Sequence, residues 1–102
     1  MPFPHQGSRP FTRRGIEVLR PGQHGVYGIF NSMACIYIGR GNLREQLLAH
    51  LGGARRTLYL LKEQPTHYVI EVASNGVTRQ RQLIAEFDPV CNRKSETRLK
   101  KP

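Results

Sequence analysis

Tryptophan is missing from this sequence, cysteine occurs only twice, and acidic side chains number seven in 102 residues. The cysteines, Cys35 and Cys91, are too few for a disulfide framework and form no C-x-x-C motif, so they read as small buried residues of a reducing compartment. No apolar run approaches the roughly 18 residues that a membrane-spanning helix needs. The N-terminus, interrupted by Pro2, Pro4 and Pro10, has no apolar centre of the kind a signal peptide carries. A cytoplasmic protein with no membrane partner is expected. Repeats and interior linkers are also lacking, and the length suits one domain with a modest two-layer core.

What the chain has in excess is positive charge. Sixteen Lys and Arg residues give a formal net charge of +9 and a pI near 10.4. Setting aside residues 93–102, with five Lys or Arg and Glu96, still leaves 11 basic against 6 acidic side chains. The excess therefore belongs to the body of the protein and not only to a solvated tail. It is scattered, and no helix pairs a basic face with a wide apolar one, which argues against a membrane surface. Nucleic acid, bound chiefly through its phosphates, is the expected partner.

Local patterns divide the chain into a flexible basic arm (1–14), a folded domain (15–92) and a flexible basic tail (93–102). Ile16 to Leu19 is read as a short strand, ended by the turn signal Pro21-Gly22. The runs "GVYGIFN" (25–31) and "ACIYIGR" (34–40), rich in β-branched and aromatic residues and separated by a short polar break, predict a hairpin. Asn42 can cap a following helix, and Gly52-Gly53 can end it. Leu43, Leu47 and Leu51 repeat every four residues there, widened by Leu48, so that face packs on the sheet, with Gln46 and His50 one turn apart at its edge. A short helix is expected over 55–64, a strand over 66–73, and a last helix from Val77 to Phe87, stopped by Pro89.

The last helix carries an anomaly. At about 100° per residue, Val77, Leu83, Ile84 and Phe87 fall within about 120° of arc, and Gln80 projects from its middle. A buried amide is costly unless hydrogen-bonded. Either Gln80 is a satisfied core residue, or this face borders a cleft and Gln80 points into it.

"GVY" (25–27) and "YIG" (37–39), followed by "NL" (42–43) with His50 downstream, and "LI" (83–84) followed by Pro89 and Asn92, together resemble the GIY-YIG nuclease superfamily across roughly residues 24–92. Each tripeptide is a weak signal alone; four elements in order are a strong one. The resemblance implies a small α/β domain, a three-stranded, mostly antiparallel sheet flanked by about three helices. It also implies cleavage of a DNA phosphodiester with one divalent cation, Mg2+ or Mn2+. Tyr27 and Tyr37 match the tyrosines that line the family's site, one of which helps activate the attacking water. His50 matches a histidine often found one turn after a phosphate-stabilising arginine, and Asn92 an asparagine beside the site. The arginine position itself is Gln46, and the metal-binding glutamate position is Gln80.

Both charges that the resemblance makes most informative are thus replaced by glutamine. A glutamine offers a hard cation only a neutral carbonyl dipole in place of a carboxylate. Loss of an aimed cationic group commonly lowers turnover about a hundredfold to a thousandfold. Near Gln46, Arg44 lies about 200° round the helix and Glu45 about 100°; Glu86 lies about 240° from Gln80, so none points in the missing direction. Arg40, just past the tyrosine motif, can reach a phosphate, and Glu71 is the one carboxylate whose direction the helix geometry does not exclude. Gly28, Gly39 and Gly41 are either turn glycines or points of close backbone approach to a phosphate. Asn92 caps local backbone if it is not beside a site.

The first expectation is a nucleic-acid-binding GIY-YIG-like domain with weak or lost cleavage. Its phosphate contacts would come from Arg40, Arg44, Arg55, Arg56, Arg79 and Arg81, with Gly39 and Asn92 alongside. The first alternative is an active metal-dependent endonuclease using a rearranged site. A second is a protein-interaction module on a nuclease scaffold.

Overall fold

A computed structural model describes residues 8–53 and 60–92 of the protein. Its elements are β1 (Arg9–Pro10), α1 (Arg13–Glu17), β2 (His24–Phe30), β3 (Cys35–Asn42), α2 (Leu43–Leu51), β4 (His67–Val72) and α3 (Gly76–Phe87). The four strands form one antiparallel sheet in the order β1-β4-β2-β3. The expected α/β class and antiparallel hairpin are present, with one strand more than the three anticipated.

That extra strand comes from the segment expected to be an arm. Arg9 and Pro10 pair with Tyr68 and His67, the Phe11 amide donates to the Thr66 carbonyl at 2.9 Å, and the Phe11 ring is buried. Proline density pointed to a flexible segment, but Pro10 lies on an edge strand, where a missing N–H is tolerated, and Phe11 anchors the segment by burial. The expected strand at Ile16 to Leu19 is also corrected. Thr12 Oγ1 accepts from the Gly15 amide at 3.0 Å and starts α1. Ile16 and Leu19, three residues apart, are both buried, which is the spacing of a helical turn. Of the helix expected over 55–64, residues 60–63 form a 3₁₀ turn with Leu60 fully buried, and the preceding residues lie outside the described part.

Helices cover both faces of the sheet. On one face Tyr27, Ile29, Ile36 and Tyr68 meet Ile16 of α1 and Leu43 and Leu47 of α2. On the other, Val26, Cys35 and Ile38 meet Leu83 of α3, with Ile84, Phe87 and Phe30 at the margin. Alternation along β2 sends Tyr27 to the first face and Val26 to the second, the expected consequence of the two-residue strand period. Asn42 caps α2 as its sequence predicts, accepting from the Glu45 amide at 3.2 Å. Val77, assigned to the apolar arc of α3, is instead 47% exposed, because the helix meets the sheet mainly through its C-terminal half.

Candidate active site

Strand β3 is the outer strand of the sheet, and the residues singled out by sequence gather along it in two groups. In the first, Tyr27 of β2, Tyr37 of β3 and His50 of α2 bring three rings together. The His50 centroid lies 5.6 Å from that of Tyr27 and 5.2 Å from that of Tyr37, and the two tyrosines are 6.3 Å apart. A 2.6 Å hydrogen bond joins the Tyr27 hydroxyl and His50 Nε2, its direction following the imidazole tautomer. Tyr27 is 1% exposed and His50 6%. Burial drives both towards their neutral forms: the Tyr27 phenol is pushed far above its ordinary range, helped by the nearby Tyr37, and the His50 pKa falls to about 4. Of the three rings, only half-buried Tyr37 presents much of itself to solvent.

Tyr27 also explains a glycine. It pairs across the hairpin with Gly39, where an added Cβ would come within 2.3 Å of the phenol ring. Gly39 is therefore required by Tyr27 and is no turn residue; Gly28, mid-strand opposite Ile38 and Val69, is not one either. Gly41 does meet the conformational reading. Its φ of +126° suits glycine, and the space beside it is filled by half-buried Gln46, whose Cγ would lie 3.4 Å from an added Cβ.

The second group surrounds the free edge of β3. Asn92 matches the Ile38 backbone as a strand partner would, Oδ1 accepting from the amide at 2.7 Å and Nδ2 donating to the carbonyl at 2.9 Å. Gln80 Nε2 donates to the same carbonyl at 3.2 Å, while Gln80 Oε1 accepts from Arg40 Nε at 3.1 Å. No other orientation matches both ends of the amide, since arginine only donates and a carbonyl only accepts. Gln80 is thus a half-buried, satisfied amide at the rim of the core, and its carbonyl is turned to a guanidinium.

The arginines differ in availability. Arg40 and Arg81 are exposed. Arg44 is half-buried, and its Nε is buried without a hydrogen-bond partner beside a groove lined by Pro21, Gly22 and Leu48. Arg79 leaves the set of expected phosphate contacts, because its Nε bonds both Glu71 oxygens at 2.9 and 2.7 Å in a pair whose side chains are only 11% and 17% exposed. The same pair removes Glu71 as a free carboxylate. Arg55 and Arg56 lie outside the described residues.

No protein-family model matches the sequence, and neither does any curated protein. Solved structures do match. The GIY-YIG N-terminal endonuclease domain of UvrC from Thermotoga maritima, bound to its catalytic magnesium, aligns with 78% of this chain and 93% of its own at 24% identity and a TM-score of 0.64. An asparagine-to-alanine point mutant of that domain, also bound to its catalytic divalent cation, aligns with 78% of this chain and 92% of its own at 24% identity and a TM-score of 0.65. The protein has the GIY-YIG fold. At 24% identity, the fold is what the two chains share.

Within this GIY-YIG fold, the donor set around Gln80 does not fit a divalent cation. Magnesium takes oxygen ligands and is usually held by one or two carboxylates. Here the one side-chain oxygen at that position accepts from a permanently charged guanidinium, which would repel a second cation. Among the described residues there is no group of three or more His, Cys, Asp and Glu side chains able to hold a metal. The Arg40–Gln80 and Arg79–Glu71 contacts were beyond sequence reasoning. Both join a strand to α3, and helical or strand periodicity relates residues only within one element.

Proposed function

We propose that this GIY-YIG domain binds nucleic acid through its phosphates and has weak or no phosphodiester-cleaving activity. One observation carries the reading: where a carboxylate would face a cation, Gln80 turns its carbonyl to Arg40. The charge of +9 supports the binding half. On the cleavage side, Tyr27 is sealed from solvent with its hydroxyl engaged by His50, so it offers no accessible oxygen to a water nucleophile.

With Arg79 engaged by Glu71, the arginines left for phosphate are Arg40, Arg44, Arg55, Arg56 and Arg81. About five contacts predict a fall of log K against log salt with a slope near −4.5 on duplex DNA. Sequence preference should be low, because no element that reads base edges is evident. A labelled duplex titrated at several salt concentrations measures the slope; absence of binding, or binding indifferent to salt, removes the reading. Salt-indifferent capture of a protein partner would favour an interaction module. For the cleavage half, plasmid incubated with magnesium or manganese should stay supercoiled. Nicked or linear product that Tyr37→Phe abolishes would instead establish an active nuclease with a rearranged site.

A further inference from the structure

We propose that the Arg40 guanidinium, held by the Gln80 amide at the edge of β3, serves as a built-in cation that grips one backbone phosphate of a nucleic acid without a divalent ion. The proposal rests on the nucleic-acid reading above and assigns that reading a specific anchor.

The geometry has three parts. Gln80 is fixed first, because its Nε2 is tied to the Ile38 carbonyl and its Oε1 is thereby aimed at Arg40. Arg40 engages it through Nε, which leaves both terminal nitrogens of the guanidinium for another acceptor. Its aliphatic stem lies along the start of α3, with Cβ and Cδ each 3.8 Å from where a Cβ on Gly76 would sit. The guanidinium is thus positioned before any ligand arrives, so less side-chain freedom is lost on binding. Beside it runs a groove of about 320 Å³ lined by His24, Arg40, Gly41, Asn75 and Gly76, among others.

The neutrality of Gln80 matters as much as its position. A carboxylate in its place would form a charge-assisted pair with Arg40 and compete with any incoming phosphate, as Glu71 does for Arg79. An amide orients the guanidinium and leaves its charge uncompensated. Among the described residues no carboxylate pairs with Arg40. Arginine suits this task, since its fork of donors meets two phosphate oxygens at once. Gln80 is then a positioning residue and Arg40 the phosphate ligand.

The test measures binding of a labelled DNA duplex to the full chain in EDTA and in magnesium, at several salt concentrations. The wild-type protein should bind no more weakly in EDTA than in magnesium. Arg40→Ala should weaken binding about tenfold and reduce the salt slope by about one, with Arg40→Lys falling between. Gln80→Glu should weaken binding about as much as Arg40→Ala, because it neutralises the same cation. Thermal melts of each variant separate loss of the anchor from loss of fold, and the free protein titrated with Mn2+ should show no saturable site by electron paramagnetic resonance. Binding that requires magnesium, binding unchanged by Arg40→Ala in a folded variant, or a saturable Mn2+ site lost in Gln80→Ala would each overturn the proposal while leaving nucleic-acid binding intact. A wild-type protein that binds neither duplex nor single-stranded DNA at low salt would overturn both.

Discussion

An ordinary histidine takes up a proton between pH 7 and pH 5, but His50 resists doing so while the chain is folded, because burial holds its pKa down to about 4. The unfolded chain restores the usual value of about 6.5. Between those two values the unfolded state binds a proton that the folded state refuses, so acid favours unfolding. This contribution is absent above about pH 6.5, grows as the pH falls to about 4, and levels off below that at roughly 3 to 4 kcal/mol. His50→Gln keeps a hydrogen-bonding partner for the Tyr27 hydroxyl without the ionisation. Its urea midpoint is expected to change less than that of wild type between pH 7 and pH 5, and equal changes in the two proteins would sink the assignment. At this scale the sequence showed two motif tyrosines and a histidine one turn beyond Gln46. Both rings lie on one face of the sheet beside His50, and Tyr27 is sealed while Tyr37 is half-open because β2 is an interior strand and β3 the outer one.

At the scale of elements, β3 is an outer strand whose free edge has to be closed, since an unpaired strand edge invites pairing with other chains. Here the Ile38 amide and carbonyl are closed by the Asn92 side chain, and Gln80 adds a second donor to the carbonyl. Asn92→Ala removes both Asn92 bonds and leaves the amide open, which should cost about 1 to 3 kcal/mol by urea unfolding. Hydrogen exchange at Ile38 should accelerate relative to the amides of β2. An unchanged exchange rate at Ile38 would show that something other than Asn92 protects the edge. The hairpin, the capped helix α2 and helix α3 were legible because each announces itself within a dozen residues, by alternation, a cap or an apolar stripe. β1 and α1 were not. β1 is two residues long and its register is set by pairing with β4, while the Thr12 cap and the Ile16 and Leu19 spacing of α1 span too few residues to stand out from a strand pattern.

For the whole molecule the governing quantity is charge. A net charge of +9 on 102 residues concentrates positive potential that the fold does not neutralise internally. A short DNA duplex binding the folded chain should stabilise it by mass action, by about 2.7 kcal/mol when the duplex is at a hundred times its dissociation constant. The melting temperature should rise with duplex concentration at low salt, and the rise should shrink as salt is added, because the interaction releases counterions. No rise at low salt would show that the charge serves something other than nucleic acid.

That Gln46 and Gln80 stand where the GIY-YIG family carries charges is what the resemblance alone implied; composition and local pattern were enough, without a fold, to mark the chain as basic, to place a hairpin before a capped helix, and to set Gln80 apart on an apolar helix face. Those properties depend on residue identity and on neighbours close in sequence, where helix and strand periods apply. Where the Gln80 amide turns was decided only by tertiary structure. Arg40 and Gln80 are forty residues apart and meet because α3 packs across β3, and Arg79 is paired because β4 brings Glu71 beside it. Such contacts arise from how elements pack, and packing responds to the shape of the whole core. A sequence period, confined to one element, cannot carry that information.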